Sequence, residues 1–132
     1  MTALNVLIEA REKIATPKSW VRGSRRTFLE DGTFARCALG AIDAVLGDGK
    51  SDHHPATELL AASLTADERE LDPGSEYGGY GAPGNPAGLV AKFNNATDHA
   101  SVLSLFDRTI ARQRMIEEMQ VVVTEAEAAF AS

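Results

Sequence analysis

The one cysteine of this sequence, Cys37, stands immediately before a run of helix formers, Ala38-Leu39-Gly40-Ala41-Ile42. A thiol at the first turn of a helix faces unpaired N–H groups and the positive end of the helix dipole, which favour the thiolate that a nucleophile requires. His99 would serve as its base, with Asn94 or Asn95 orienting the ring, in the manner of a Cys-His-Asn hydrolase or transferase. Papain-like enzymes bring their histidine from a sheet, however, and no strand is predicted near His99. A cysteine in a small-residue apolar run is more often a buried hydrophobe. The sequence therefore favours a structural Cys37 and keeps Cys37, His99 and Asn94 as the alternative, catalytic set.

His53 and His54, beside Asp48 and Asp52, are the other candidate ligating groups. Adjacent histidines rarely ligate one ion, because a helix presents ligands at i, i+4 and a strand at i, i+2. They read as a polar exposed loop, and no metal site is expected. Gly78, Gly79, Gly81 and Gly84 lack the preceding strand and the lysine of a phosphate-binding loop, so no nucleotide or other cofactor is expected either. Recognition groups are better represented. Tyr77 and Tyr80 sit among glycines and prolines, the composition of adaptable protein-binding loops. Arg22, Arg25 and Arg26, near Trp20 and Phe28, combine cations and aromatic rings as an acidic partner or a single-stranded nucleic acid would require.

Charge weighs against nucleic acid. The chain has 132 residues with 19 acidic and 13 basic side chains, a formal charge of −6 that repels phosphate at long range. Residues 11–36 are locally basic and residues 37–76 strongly acidic, a division that internal pairing between the two segments would satisfy. One cysteine excludes an intramolecular disulfide framework and any multi-cysteine metal site. The first residues mix Glu9, Arg11, Glu12 and Lys13 with apolar groups, so they form no export signal, and no segment approaches the roughly 20 apolar residues of a membrane span. A cytoplasmic protein, without a membrane segment, is expected.

The elements that must position these groups are mostly helical. Leu4, Leu7, Ile8 and Ile14 at helical spacing predict an amphipathic helix over residues 3–15, started by Thr2 and stopped before Pro17. Thr27 to Phe34 around Asp31-Gly32 predicts a short β-hairpin with a tight primed turn, and the hairpin is expected to carry Trp20. Cys37 to Leu46 predicts a central buried helix whose small residues admit neighbouring backbones closely, ended by Gly47. A helix from Pro55 to Leu64 and a capping box of Thr65 and Glu68 follow. Residues 72–86 contain five glycines and three prolines and predict a loop. Asn85-Pro86 opens a helix to Asn94, and Asp98 opens a last helix reaching almost to Phe130, about 45 Å long at 1.5 Å per residue. Its last two turns are expected to project and to offer a homodimer contact, unless Val121-Val122-Val123 breaks it. The expectation is a mainly helical α+β fold in one domain over residues 1–132, about five helices around the small-residue helix plus one hairpin.

Four blocks in order carry a resemblance: Trp20-Val21-Arg22-Gly23, Arg36-Cys37-Ala38-Leu39-Gly40-Ala41-Ile42, Phe93-Asn94-Asn95, and Val102-Leu103-Ser104-Leu105-Phe106-Asp107-Arg108-Thr109-Ile110. Together they resemble a family of small bacterial and phage-encoded domains of unknown function, which typically shows Trp-x-x-Gly, Cys-Ala-Leu-Gly-Ala, Trp-Asn-Asp and Leu-Phe-Asp-Arg-Ala-Ile. Phe93 stands here where that family usually has Trp, and Asn95 where it has Asp. The resemblance implies a fold and no activity. Trp20, Cys37, Gly40, Asn94 and Asp107 are read as structural, with Asp107 anchoring the hairpin through Arg22 or the Trp20 indole N–H. The functional expectation is a small protein-interaction or regulatory domain without catalysis. If the phage connection holds, its concrete form is a host-directed inhibitor of a bacterial defence or regulatory complex.

Overall fold

The computed structural model describes residues 1–74 and 84–131. Thr2 opens helix α1 (Ala3–Lys13) by accepting the Asn5 N–H at 3.1 Å, and Val6, Leu7 and Ala10, with Ile14 just beyond, form one buried face. After a 3-10 turn at Pro17–Ser19 the chain passes Trp20 and runs beside the second strand of the hairpin, the Val21 N–H donating to the Arg36 carbonyl. The hairpin pairs β1 (Arg26–Phe28) with β2 (Phe34–Arg36) in antiparallel register: Arg26 opposite Arg36, Thr27 opposite Ala35, Phe28 opposite Phe34. Trp20 is therefore flanking the hairpin and not carried on it, because Gly23, at φ 75°, turns the chain before β1 begins.

The hairpin turn also departs from the expected two-residue type. Only Gly32 (φ 86°) adopts the left-handed conformation, while Asp31 does not. Leu29 donates to the Thr33 carbonyl at 2.8 Å and Gly32 donates back to Leu29 at 3.0 Å, which closes a three-residue loop with glycine at its left-handed position. The Asp31 carboxylate explains the preference. It accepts from the Thr33 N–H and hydroxyl and pairs with Lys18, and these partners hold its pKa well below the usual carboxylate range.

Cys37 caps helix α2 (Ala38–Leu46), which ends at Gly47 with φ 122°. Gly40 is required on α2, because a Cβ there would lie 1.8 Å from the Arg25 carbonyl oxygen. Helix α3 (Pro55–Ala62) is capped by His54, helix α4 (Ala66–Arg69) by the Thr65 and Glu68 box, and helix α5 (Pro86–Ala96) by Asn85. α2 packs on α1, α3 and α5 at the centre of the core, giving the expected mainly helical fold with a single hairpin. Helix α6 (His99–Ala131) starts where Asp98 accepts the Ser101 N–H, and it runs unbroken through Val121-Val122-Val123 for 33 residues, about 50 Å. Val102, Leu105, Phe106, Thr109 and Ile110 enter the core; beyond Ile110 no described residue of α6 is buried, so the exposed part is far longer than two turns. Among the described residues no helix is long and apolar enough to cross a membrane.

Candidate functional site

Cys37 and His99, the candidate nucleophile and base, are each engaged elsewhere. The Cys37 side chain is 1% exposed and its Sγ accepts the Gly40 N–H at 3.4 Å. Burial pushes the thiol pKa up, and the opposing N–H groups of Gly40 and Leu39 do not compensate. His99 Nε2 lies 2.6 Å from the Ile14 carbonyl oxygen. A carbonyl only accepts, so Nε2 carries the proton and the ring's lone pair is left on Nδ1. Its ring packs on Trp20 with centroids 5.8 Å apart.

Asn94 has no capacity left to orient a histidine. Its Oδ1 accepts from the Trp20 indole at 2.8 Å and from the Ala38 N–H at 3.0 Å, while Nδ2 donates to the Val21 carbonyl and to Asn95 Oδ1, both at 3.1 Å. These four bonds exhaust a carboxamide. Asn95 Oδ1 also accepts the Gly23 N–H at 2.9 Å, so two adjacent residues of α5 fasten the segment of residues 20–23 and the start of α2. The expected Asp107 clamp is corrected: Asp107 accepts from Arg11 of α1 at 2.8 and 3.3 Å, because helix α6 turns it toward α1, and the Trp20 indole goes to Asn94 instead.

The arginines divide in the same way. Arg25, expected at a partner surface, donates to Asp43 at 2.8 Å, to Ser51 at 2.9 Å and to Asp52. Burial opposes its charge, but the two carboxylates outweigh that and raise its pKa. The basic segment and the acidic segment do meet here. Arg22 lies over the Trp20 ring, 5.5 Å from its centroid, and donates to the Thr97 carbonyl at 2.7 Å. His54 Nδ1 accepts the Ala56 N–H and Asp52 is taken by Arg25, and among the described residues no group of three acidic, histidine or cysteine side chains could hold a metal ion.

Arg26 is different. It shares one face of the hairpin with Phe28, Phe34 and Arg36, as residues two apart on paired strands must. Phe28 is 67% exposed and meets Phe34 edge to face at 5.4 Å, while the guanidinium carbons of Arg26 and Arg36 each lie 5.3 Å from the Phe34 ring centroid. Arg26 reaches Asp48 only at 3.8 Å, with both side chains largely in water. The cleft between this hairpin and α2 holds about 170 Å³, below the roughly 300 Å³ at which substrate pockets begin. Phe34 and Arg36 were not singled out from the sequence, although Arg26-x-Phe28 and Phe34-x-Arg36 carry the signal in their two-residue period. Tyr77 and Tyr80 lie outside the described residues.

The profile of the family of unknown function DUF6197 matches residues 1–112. The chain belongs to DUF6197. The match contains every buried residue of the DUF6197 fold seen here and ends two residues beyond Ile110, the last of them. Searches of curated proteins and of solved structures find no match to the chain.

Proposed function

We propose that this DUF6197 chain is a cytoplasmic, non-catalytic protein-binding domain whose hairpin face, Arg26, Phe28, Phe34 and Arg36, receives an acidic protein segment. One observation carries the reading: the exposed Arg26 and the half-buried Arg36 stand directly opposite each other on one face of the hairpin. Like charges at such a pair destabilise a hairpin, so their placement is costly for folding and useful for attracting carboxylates. The exposed Phe28 and the Phe34 ring between the two guanidinium groups supply apolar contact at the same place. Tyr77 and Tyr80 are assigned to partner contact on composition alone, whereas Arg22 and Arg25 are withdrawn from it, being committed to internal partners. In the form that the resemblance to phage-encoded domains supports, the acidic segment belongs to a bacterial defence or regulatory complex, and its capture is inhibitory.

Fluorescence anisotropy of a labelled glutamate-rich peptide containing aromatic residues, titrated with the full chain, tests this directly. Binding should weaken about tenfold or more in Arg26→Glu and in Arg36→Glu. Thermal stability should hold or rise in either variant, since each replaces a like-charge pair by an opposite-charge one. No binding of the peptide, or tighter binding of a single-stranded oligonucleotide of equal charge, would sink the proposal.

A further inference from the structure

We propose that residues 112–130 of α6 pair with the same residues of a second copy of this chain, antiparallel and about a two-fold axis near Val121. Ile116, Met119, Val123, Ala126 and Phe130 follow one another at alternating intervals of three and four residues, the seam spacing of a coiled coil. Met119 is 62% exposed and Phe130 93%, and a shallow groove along this face is lined by Ile116, Met119, Gln120, Val123 and Thr124. A contiguous apolar stripe on a helical segment in which no described residue is buried is unfavourable in water and marks a contact surface.

Charge and shape together choose the occupant. Arg112 and Arg114 stand at one end of the stripe, and Glu125 and Glu127 near the other. A parallel pair would set all four glutamates, Glu117, Glu118, Glu125 and Glu127, and both arginines beside their own copies, whereas reversal about Val121 keeps only Glu117 opposite Glu125 and brings the arginine end of each copy to the Glu127 end of the other. The same reversal sets Ile116 against Ala126 and Met119 against Val123, so that larger side chains meet smaller ones, and lays Phe130 over Arg112. Such self-complementarity is what a two-fold contact demands and what an unrelated partner would not require. The length also fits. Residue 130 of the second copy lies level with residue 112, so the two bodies sit at opposite ends of the pair. The stripe lies outside the family match and uses none of the hairpin residues, so it stands independently of the proposed acidic partner.

Analytical ultracentrifugation of the full chain should show twice the 14.1 kDa protomer mass. The double variant Met119→Glu and Val123→Glu should weaken association roughly a hundredfold or more, because the two-fold places four buried carboxylates in one seam. Its helical circular dichroism and melting should match the parent measured at a concentration too low to associate. Orientation is read with a short bis-maleimide. Val122→Cys, close to the axis, should link between copies, whereas Ile116→Cys should not, its two sites lying roughly 15 Å apart along the antiparallel pair. A monomer at concentrations up to about 0.1 mM, a dimer indifferent to the glutamate variants, absence of linkage at position 122, or linkage at position 116 would each overturn the proposal.

Discussion

Residues 99–110 and residues 111–131 belong to one unbroken helix, and they live in different solvents. The first part spends its apolar side chains on the core and its polar ones on neighbours: Asp107 on Arg11, Arg108 on the Ser63 carbonyl and Glu68. The second part carries Met115, Met119, Val121, Val122, Val123 and Phe130 in water. Apolar composition alone therefore does not mark a core; a core needs other elements within reach. The family match stops where that reach ends.

Thiol chemistry gives the widest separation between the two parts. Cys37 should alkylate at least roughly a thousandfold more slowly in the native chain than in denaturant, since the buried thiol reacts only through opening of the body. Val121→Cys, on the exposed side of the extension, should react at the rate of a free thiol in the same sample. Rapid native alkylation of Cys37 would break the comparison and restore the nucleophile reading.

Stability should divide along the same line. Phe106→Ala removes a fully buried ring and should cost about 3–5 kcal/mol in a denaturant melt, whereas Val121→Ala should stay within about 0.5 kcal/mol. Gly40→Ala forces a methyl group onto the Arg25 carbonyl and should cost about 1–3 kcal/mol, although alanine is the better helix former. A neutral result would mean that the hairpin is not seated on α2.

The smallest effect concerns acid. Burial pushes the Glu68 carboxyl up, but Arg108 and the Thr65 N–H outweigh it and hold its pKa below the ordinary 4.5. A carboxyl depressed by folding contributes stability that is complete above its unfolded value and is lost as pH falls through the lower, folded one. Glu68→Gln should remove that part of the acid loss below about pH 4.5, worth about 1 kcal/mol for a half-buried pair at the rim of the fold. An unchanged acid profile would show that the Glu68 to Arg108 contact does not tie α4 to α6.

Local chemistry made much of this fold legible. Thr2, Thr65, Asn85 and Asp98 announce helix starts because the groups they cap lie within three residues of them. Gly40 and its small neighbours announced a close approach without saying whose backbone approaches, since Arg25 meets α2 through a turn that sequence does not define. Asp107 was given the wrong partner for a related reason: several arginines could answer one carboxylate, and only the packing of α1 against α6 selects Arg11. The indole bond from Trp20 to Asn94 spans 74 positions and has no local signature at all. The hairpin face was half legible, through Arg26 and Phe28, because its other half becomes visible only when the register places Arg36 opposite Arg26.

Trp20 is the one tryptophan of the chain, and its indole is tied to Asn94 at the joint between α5, α2 and the segment before the hairpin. Its ultraviolet emission is therefore a built-in optical gauge of that joint. Release of the indole into water would move the emission to longer wavelength, while events confined to the far end of α6 would leave the colour unchanged. A single cuvette can thus tell a loosening of the body from a change at its extension, with no dye attached.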